Sequence, residues 1–166
     1  MGEWSTMSFA DAVSVNPTVA LKRGNVYPFV EMAAVEPGTR SVCEYEHREF
    51  SGGGSRFAPG DTLMARITPC LENGKIAKFC PRVAEGAGFG STEFIVIRGR
   101  EGVTTNDFAY YLTMWPDFRQ FAIGQMTGSS GRQRVSAETL AGFEVEIPPL
   151  PIQRRITHIL GTLDDK

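Results

Sequence analysis

Hydrophobic and polar positions divide the chain into a strand-rich first part and a helical second part that returns to a strand near the end. Val26 to Val35 is an apolar, strand-like run opened by Gly24 and closed by Pro37-Gly38, whereas Ser41 to Phe50 alternates and is polar, as an exposed strand is. Gly52-Gly53-Gly54 interrupts regular structure, and Pro59-Gly60-Asp61 turns the chain into a strand over Thr62 to Thr68. Two further strands are predicted over Lys75 to Val83 and Thr92 to Arg98, with Gly86-Ala87-Gly88-Phe89-Gly90 between them as a connecting loop. From Asn106 the period changes. Thr105 or Asn106 can cap a helix whose apolar face is Phe108, Tyr111, Leu112 and Trp115, and Pro116 is placed to start a second helix carrying Phe118, Phe121 and Ala122. These aromatics read as core packing rather than as a stacking platform for bases. Ser136 can cap a short helix through Leu140, and Phe143, Val145 and Ile147 then alternate with Glu144 and Glu146. The pattern predicts an α+β fold, a twisted and mostly antiparallel sheet with packed helices.

The segment Ile147 to Lys166 closes the pattern. Ile152, Ile156, Ile159 and Leu163 recur at helical spacing with Arg154, Arg155 and Asp164 off the stripe. A helix of about four turns is marginal alone in water. Pro148, Pro149 and Pro151 are expected to hold it away from the preceding strand rather than fold it back. Two readings of the stripe stand side by side: it awaits a partner helix, or it packs on the domain's own core.

Composition narrows the function classes. With 166 residues, 42% of them hydrophobic, the chain fills one core and is too short for two. A formal net charge of -2 gives no overall attraction to a polyanion, so any nucleic-acid surface must be local. No apolar run approaches membrane-spanning length, and Met1 to Ala10 carries polar and acidic residues where a signal peptide needs a basic start; a soluble, cytoplasmic protein is expected. Cys43, Cys70 and Cys80 form no Cys-x-x-Cys pair, and His47 and His158 fall at no ligand spacing. Buried, reduced thiols and no metal are expected.

Two loops carry chemistry that folding leaves unexplained. In Gly60 to Ala77 a strand ends at Arg66-Ile67-Thr68, turns through Pro69-Cys70 and restarts after Asn73-Gly74, which would present Arg66, Thr68, Asn73 and Lys75 together. Such side chains grip phosphates and read base edges, although the Asn-Gly pair equally suits an ordinary hairpin turn. In Gln125 to Ser136, Arg132, Gln133 and Arg134 follow Gly128-Ser129-Ser130-Gly131, and no acid lies between Asp117 and Glu138. Glycine-freed amides beside Ser129 and Ser130 suit a phosphate, while arginine pairs with guanine and glutamine with adenine; a solvated flexible loop has the same composition.

Enzymatic readings find little support. The glycines at 86–90 precede a strand and lack the lysine of a nucleotide-binding loop, Pro148-Pro149 lacks the context of an adenine-methyltransferase motif, and no Glu-x-Lys follows Pro116-Asp117. No catalytic constellation is predicted.

Four stretches in this order, GDTLMARITPCLENGKIA, GSTEFIVIRG, QMTGSSGRQRVS and IPPLPIQRRITHILGTLDDK, closely resemble the specificity subunit of type I restriction-modification systems. The resemblance spans about Tyr27 to Lys166, and the Pro-Pro-Leu-Pro-x-Gln-x-Arg-Ile run with Leu-Asp-Asp-Lys is its most specific part. It implies a target recognition domain over residues 1–147 and a proline hinge with the start of a spacer helix over 148–166. Such subunits carry two recognition domains separated by long helices paired as an antiparallel coiled coil, and each domain reads half of a bipartite double-stranded DNA site. The implied partners are methyltransferase subunits, which bind S-adenosylmethionine and methylate adenine, and a motor-nuclease subunit; the specificity chain itself holds no cofactor and catalyses nothing. The second recognition domain and most of the spacer are missing here, so the chain is expected to be either a half-length subunit that dimerises, weakly, through its helix, or a fragment of a longer product. The recognition loops vary most within the family, so the base-reading roles assigned here rest on side-chain chemistry. The competing reading is a protein-interaction adaptor that docks methyltransferase subunits through Ile156, Ile159 and Leu163 without meeting DNA. A third is an enzyme with Cys70 as nucleophile, although nothing beside Cys70 in sequence would activate its thiolate.

Overall fold

Runs of β-branched and aromatic residues, punctuated by glycine and proline, give many short strands and leave helices to the later part. The computed structural model describes residues 2–42 and 44–165; Met1, Cys43 and Lys166 lie outside the described residues, and with Cys43 the thiol expected there. In chain order the elements are β1 (Ser5–Ser8), α1 (Phe9–Ala12), β2 (Val13–Val15), β3 (Val26–Val30), a 3-10 turn (Met32–Ala34), β4 (Ser41–Val42), β5 (Glu46–Glu49), β6 (Ser55–Phe57), β7 (Thr62–Ala65), β8 (Ile76–Phe79), β9 (Gly88–Gly90) and β10 (Phe94–Gly99). Then come α2 (Asn106–Met114), α3 (Pro116–Gly124), α4 (Ala137–Ala141), β11 (Glu144–Ile147) and α5 (Leu150–Asp164).

The fold is α+β, with its strands divided among three sheets. One has the order β2-β10-β7-β8-β4, antiparallel except where β4 meets β8. A second has the order β5-β3-β9-β6, with β3 and β9 parallel, and a ribbon of β1 and β11 ties the beginning of the chain to Ile147. The five-stranded sheet is the middle layer. Met64, Ile76, Ile95 and Ile97 face the helices, where they meet Phe108, Leu112 and Phe118; their neighbours Leu63, Ala77 and Val96 face the second sheet, where they meet Val30 and Phe57. A strand buried on both faces reads as a continuous apolar run, which is why β7 and β10 are the clearest strands in the sequence.

The helical expectations hold. The Thr105 hydroxyl accepts from Phe108 N at 3.0 Å, Pro116 opens α3, and the Ser136 hydroxyl accepts from Thr139 N at 3.1 Å. Phe118 stacks on Phe9 with centroids 4.6 Å apart, and Phe143 meets Phe118 at 5.4 Å and Phe121 at 4.8 Å, so these phenylalanines pack in the core, whereas Trp115, expected there with them, is 39% exposed at the end of α2.

Four expectations are corrected. The run from Val26 leaves the strand at Val30 for a 3-10 turn, and Ser41 to Phe50 splits into β4 and β5, which belong to different sheets. The glycines at 86–90 are not simply a connection, because Gly88–Gly90 is an interior strand. A Cβ at Gly90 would meet the Val30 carbonyl oxygen at 2.2 Å and one at Gly88 the Pro28 oxygen at 2.8 Å, so the missing side chains are what let β9 lie against β3.

Finally, the prolines do not hold the last helix away: α5 folds back onto α2. Its anchor is Gln153, fully buried, whose Oε1 accepts from Thr105 N at 2.9 Å while Nε2 donates to the carbonyls of Val103 (2.7 Å) and Pro148 (2.9 Å). Farther along, Arg40 pairs with Asp165 at 2.6 Å, and the Tyr111 hydroxyl donates to Asp164 at 2.6 Å. The docked face therefore runs through Gln153 and Gly161, more than a third of a turn from the centre of the isoleucine stripe. Ile159 and Leu163 stay 60% exposed. No described helix is long and apolar enough to cross a membrane.

Candidate nucleic-acid interface

The two polar loops, some sixty residues apart in sequence, are hydrogen-bonded into one edge. Beyond β7 the backbone continues extended: Thr68 N donates to the Gln133 carbonyl at 3.0 Å, and Val135 N donates to the Arg66 carbonyl at 3.0 Å. Ile67 and Thr127 each bridge to Arg134, so the second loop docks against the first through its own base. That base is closed, with Thr127 N donating to Arg134 O and Arg134 N to Thr127 O, both at 2.9 Å, and Arg132 N donating to Ser129 O at 3.0 Å across the tip. Gly128 and Gly131 take φ of 128° and 77°, conformations that favour glycine. The loop is a small hairpin that lifts Ser129, Ser130, Arg132 and Gln133 into solvent.

The expected residues divide into those free to meet a ligand and those engaged by the protein. Arg132 makes no ion pair or side-chain hydrogen bond among the described residues. Arg134, although exposed, is gripped by Glu93, with its Nε 3.0 Å from each carboxylate oxygen and its terminal nitrogen at 2.8 Å. That contact raises the Arg134 pKa above its ordinary value and makes the basic window less basic than its sequence, because the acid missing locally comes from the approach to β10.

In the first loop the four side chains are not presented together. Thr68 donates to Glu72, Lys75 Nζ turns to the Met32 carbonyl at 3.2 Å, and Asn73 is exposed. Arg66 is half-buried, and its Nε is buried without a hydrogen-bond partner among the described residues. The turn between them is helical, with Leu71 N donating to Ile67 O at 3.0 Å and Asn73 N to Pro69 O at 2.9 Å, and the Thr68-Pro69 peptide is cis. Arg119 from α3 covers it, its terminal nitrogen 3.4 Å from the Glu72 carbonyl. Cys70 and Cys80 are free thiols but not buried as expected, Cys70 being half-buried in the turn and Cys80 exposed just past the end of β8; no cluster that could hold a metal ion occurs among the described residues.

The model for the type I restriction modification DNA specificity domain matches residues 67–166, from the middle of this edge to the end of the chain. The chain belongs to that family. It is 30% identical over 158 residues to the EcoAI type I restriction enzyme specificity subunit of Escherichia coli, covering 93% of this chain and 26% of that one. To the EcoEI specificity subunit of the same organism it is 28% identical over 165 residues, covering 97% and 27%. The chain thus spans about a quarter of the length of the curated relatives it matches. Its fold is that of the crystal structure of the HsdS subunit from Thermoanaerobacter tengcongensis, with a TM-score of 0.73 at 20% identity, over 96% of this chain and 42% of that one.

A second surface lies on the helical side. Between α2 and α5 an apolar cleft of about 400 Å³ is lined by Trp4, Phe108, Trp115, Ile156 and Leu160. Trp4 is 53% exposed and Trp115 39%, and Ile156 joins the cleft to the open stripe of α5.

Proposed function

We propose that this chain is a target recognition domain, residues 1–147, that reads one half of a bipartite DNA site, with residues 148–166 opening the spacer helix. The observation that carries the reading is the joined edge: two loops rich in amide, hydroxyl and guanidinium groups, held by backbone hydrogen bonds, with Arg132 at the tip unpaired among the described residues. Phosphate contacts would fix the register of the duplex, and Arg132 and Gln133 would reach base edges. In the assembled system the chain directs adenine methylation and cleavage by partner subunits and supplies no catalytic group itself. The membership in a specificity family favours this over the adaptor reading.

The predicted partner stripe is Ile152, Ile156, Ile159 and Leu163; Ile156 packs partly on the domain's own core, and the open end at Ile159 and Leu163, together with the Trp4–Trp115 cleft, supports docking of helices from the rest of the complex, including methyltransferase and motor-nuclease subunits.

The test is fluorescence anisotropy on labelled duplexes that carry or lack the methylated site of the host complex. Arg132→Gln is expected to weaken the matched duplex about tenfold or more and the unrelated one less. Equal affinity of variant and parent for every duplex would overturn the assignment.

A further inference from the structure

Arg66 sits at the seam of the loop edge, yet its side chain does not join the loops. It lines a polar groove of about 310 Å³ on the neighbouring surface, together with Arg56, Asn16, Thr18, Ser55 and Thr92. Among the described residues, two guanidiniums and no carboxylate line this groove, in a chain whose overall charge is negative. A third guanidinium lies next to it. Arg23 crowds Gly52 so closely that a Cβ there would meet it at 2.7 Å, and Arg56 reaches the Gly52 carbonyl at 3.5 Å while its guanidinium stands 4.7 Å from the Phe50 ring centroid. Like charges gathered without an acid repel one another, and the buried Nε of Arg66 forgoes a hydrogen bond. The fold accepts both costs at one place.

The loop that carries Gly52 and leads into Ser55 and Arg56 is packed tightly against the protein itself. Gly52 and Gly54 take φ of 112° and 90°, and a Cβ at Gly54 would strike the Gly90 carbonyl at 2.4 Å. In the sequence these glycines read only as a break, and neither Arg23 nor Arg56 stands out.

We propose that this groove seats a backbone phosphodiester of the duplex read by the loop edge, with Arg66 and Arg56 as donors and Arg23 adding charge from behind Gly52. The inference rests on the duplex-reading function proposed above. Continuity supports it: Arg66 is bonded to the second loop through its carbonyl, and Thr92 precedes the Glu93 that holds Arg134. The chemistry favours phosphate over base, because forked donors and hydroxyls dominate and the aromatic residue of the lining, Phe94, is only 2% exposed and offers no stacking face.

The experiment measures duplex affinity of the full chain against salt for Arg66→Gln, Arg56→Gln and, in parallel, Arg132→Gln. Each groove variant is expected to lower the log-log salt slope by about 0.9 for every phosphate it no longer neutralises and to weaken matched and unrelated duplexes by the same factor. Arg66→Lys, which keeps the charge, retains most of the slope and guards against loss by misfolding, as does an unchanged thermal midpoint. The Arg66 Nε–H signal in NMR should move on adding duplex and stay in place with inorganic phosphate at equal phosphate concentration. An unchanged slope in both groove variants while Arg132→Gln weakens binding would overturn the groove and spare the loop edge. A shift in preference between duplexes would make it a base-reading site, and a signal that moves with inorganic phosphate alone a small-anion site; either overturns the proposal. Failure of the parent chain, and of Arg132→Gln, to distinguish any duplex would sink the reading on which the proposal depends.

Discussion

Gln153 offers the sharpest test of how the last helix is held. Its amide satisfies the N–H of Thr105 and the carbonyls of Val103 and Pro148, and it is 0% exposed. Gln153→Leu keeps the volume and removes all three bonds. The Pro148 contact is buried and its orphaned carbonyl costs about 2 kcal/mol; the other two are partly reachable by water and cost about 1 kcal/mol each, against which the leucine regains about 1 kcal/mol. A net loss of about 3 kcal/mol lowers the melting temperature by roughly 6–12 °C in a chain of this size. Thermal unfolding followed by circular dichroism reads the total, and hydrogen exchange of the amides over 150–164 localises it, because α5 frays when its anchor goes. Gln153→Glu adds a signature of its own: a carboxylate facing two carbonyls is at least as damaging at neutral pH, and the deficit shrinks as falling pH restores a donor. Parental stability and unchanged α5 protection in Gln153→Leu would refute the anchoring role.

The remaining expectations concern the same helix and its support. Tyr110 is 3% exposed, and burial, reinforced by Asp164 and Tyr111, pushes its pKa up to about 12. A raised tyrosine pKa leaves stability intact below pH 10 and removes it between about 10 and 12, by up to roughly 2 kcal/mol, because only the unfolded chain ionises readily there; Tyr110→Phe should abolish that alkaline decline in urea midpoints, and an undiminished decline would contradict the assignment. Ile159→Glu with Leu163→Glu changes exposed positions, so thermal stability should move by no more than about 0.5 kcal/mol while co-purification with the methyltransferase subunits is lost. Retained co-purification would show that the stripe has another use.

What the sequence made legible was local. Thr105, Pro116 and Ser136 announce helix starts through their own chemistry, and β7 and β10 declare themselves by unbroken apolar runs. The rest depended on contacts across the chain. Gly88–Gly90 is a strand because of what β3 places against it, which no local pattern encodes. The Ile152–Leu163 stripe was visible, but Gln153, polar and one position from the stripe, is what docks the helix. Both loops were legible as polar, whereas their union at Arg66 and Ile67, the capture of Arg134 by Glu93 and the turning away of Lys75 are tertiary facts. Arg56 and Arg23 gave no signal, since isolated arginines acquire meaning only when the fold gathers them.

Whether the joined loop edge reads one half of a bipartite site is decided by sequencing methylated adenines in cells that carry this chain within its complete methyltransferase complex, with Arg132→Ala and Gln133→Ala introduced together. One half of the methylated motif should become degenerate while the other half keeps its sequence. An unaltered motif, methylated to the same extent in both halves, would mean that the edge does not read DNA.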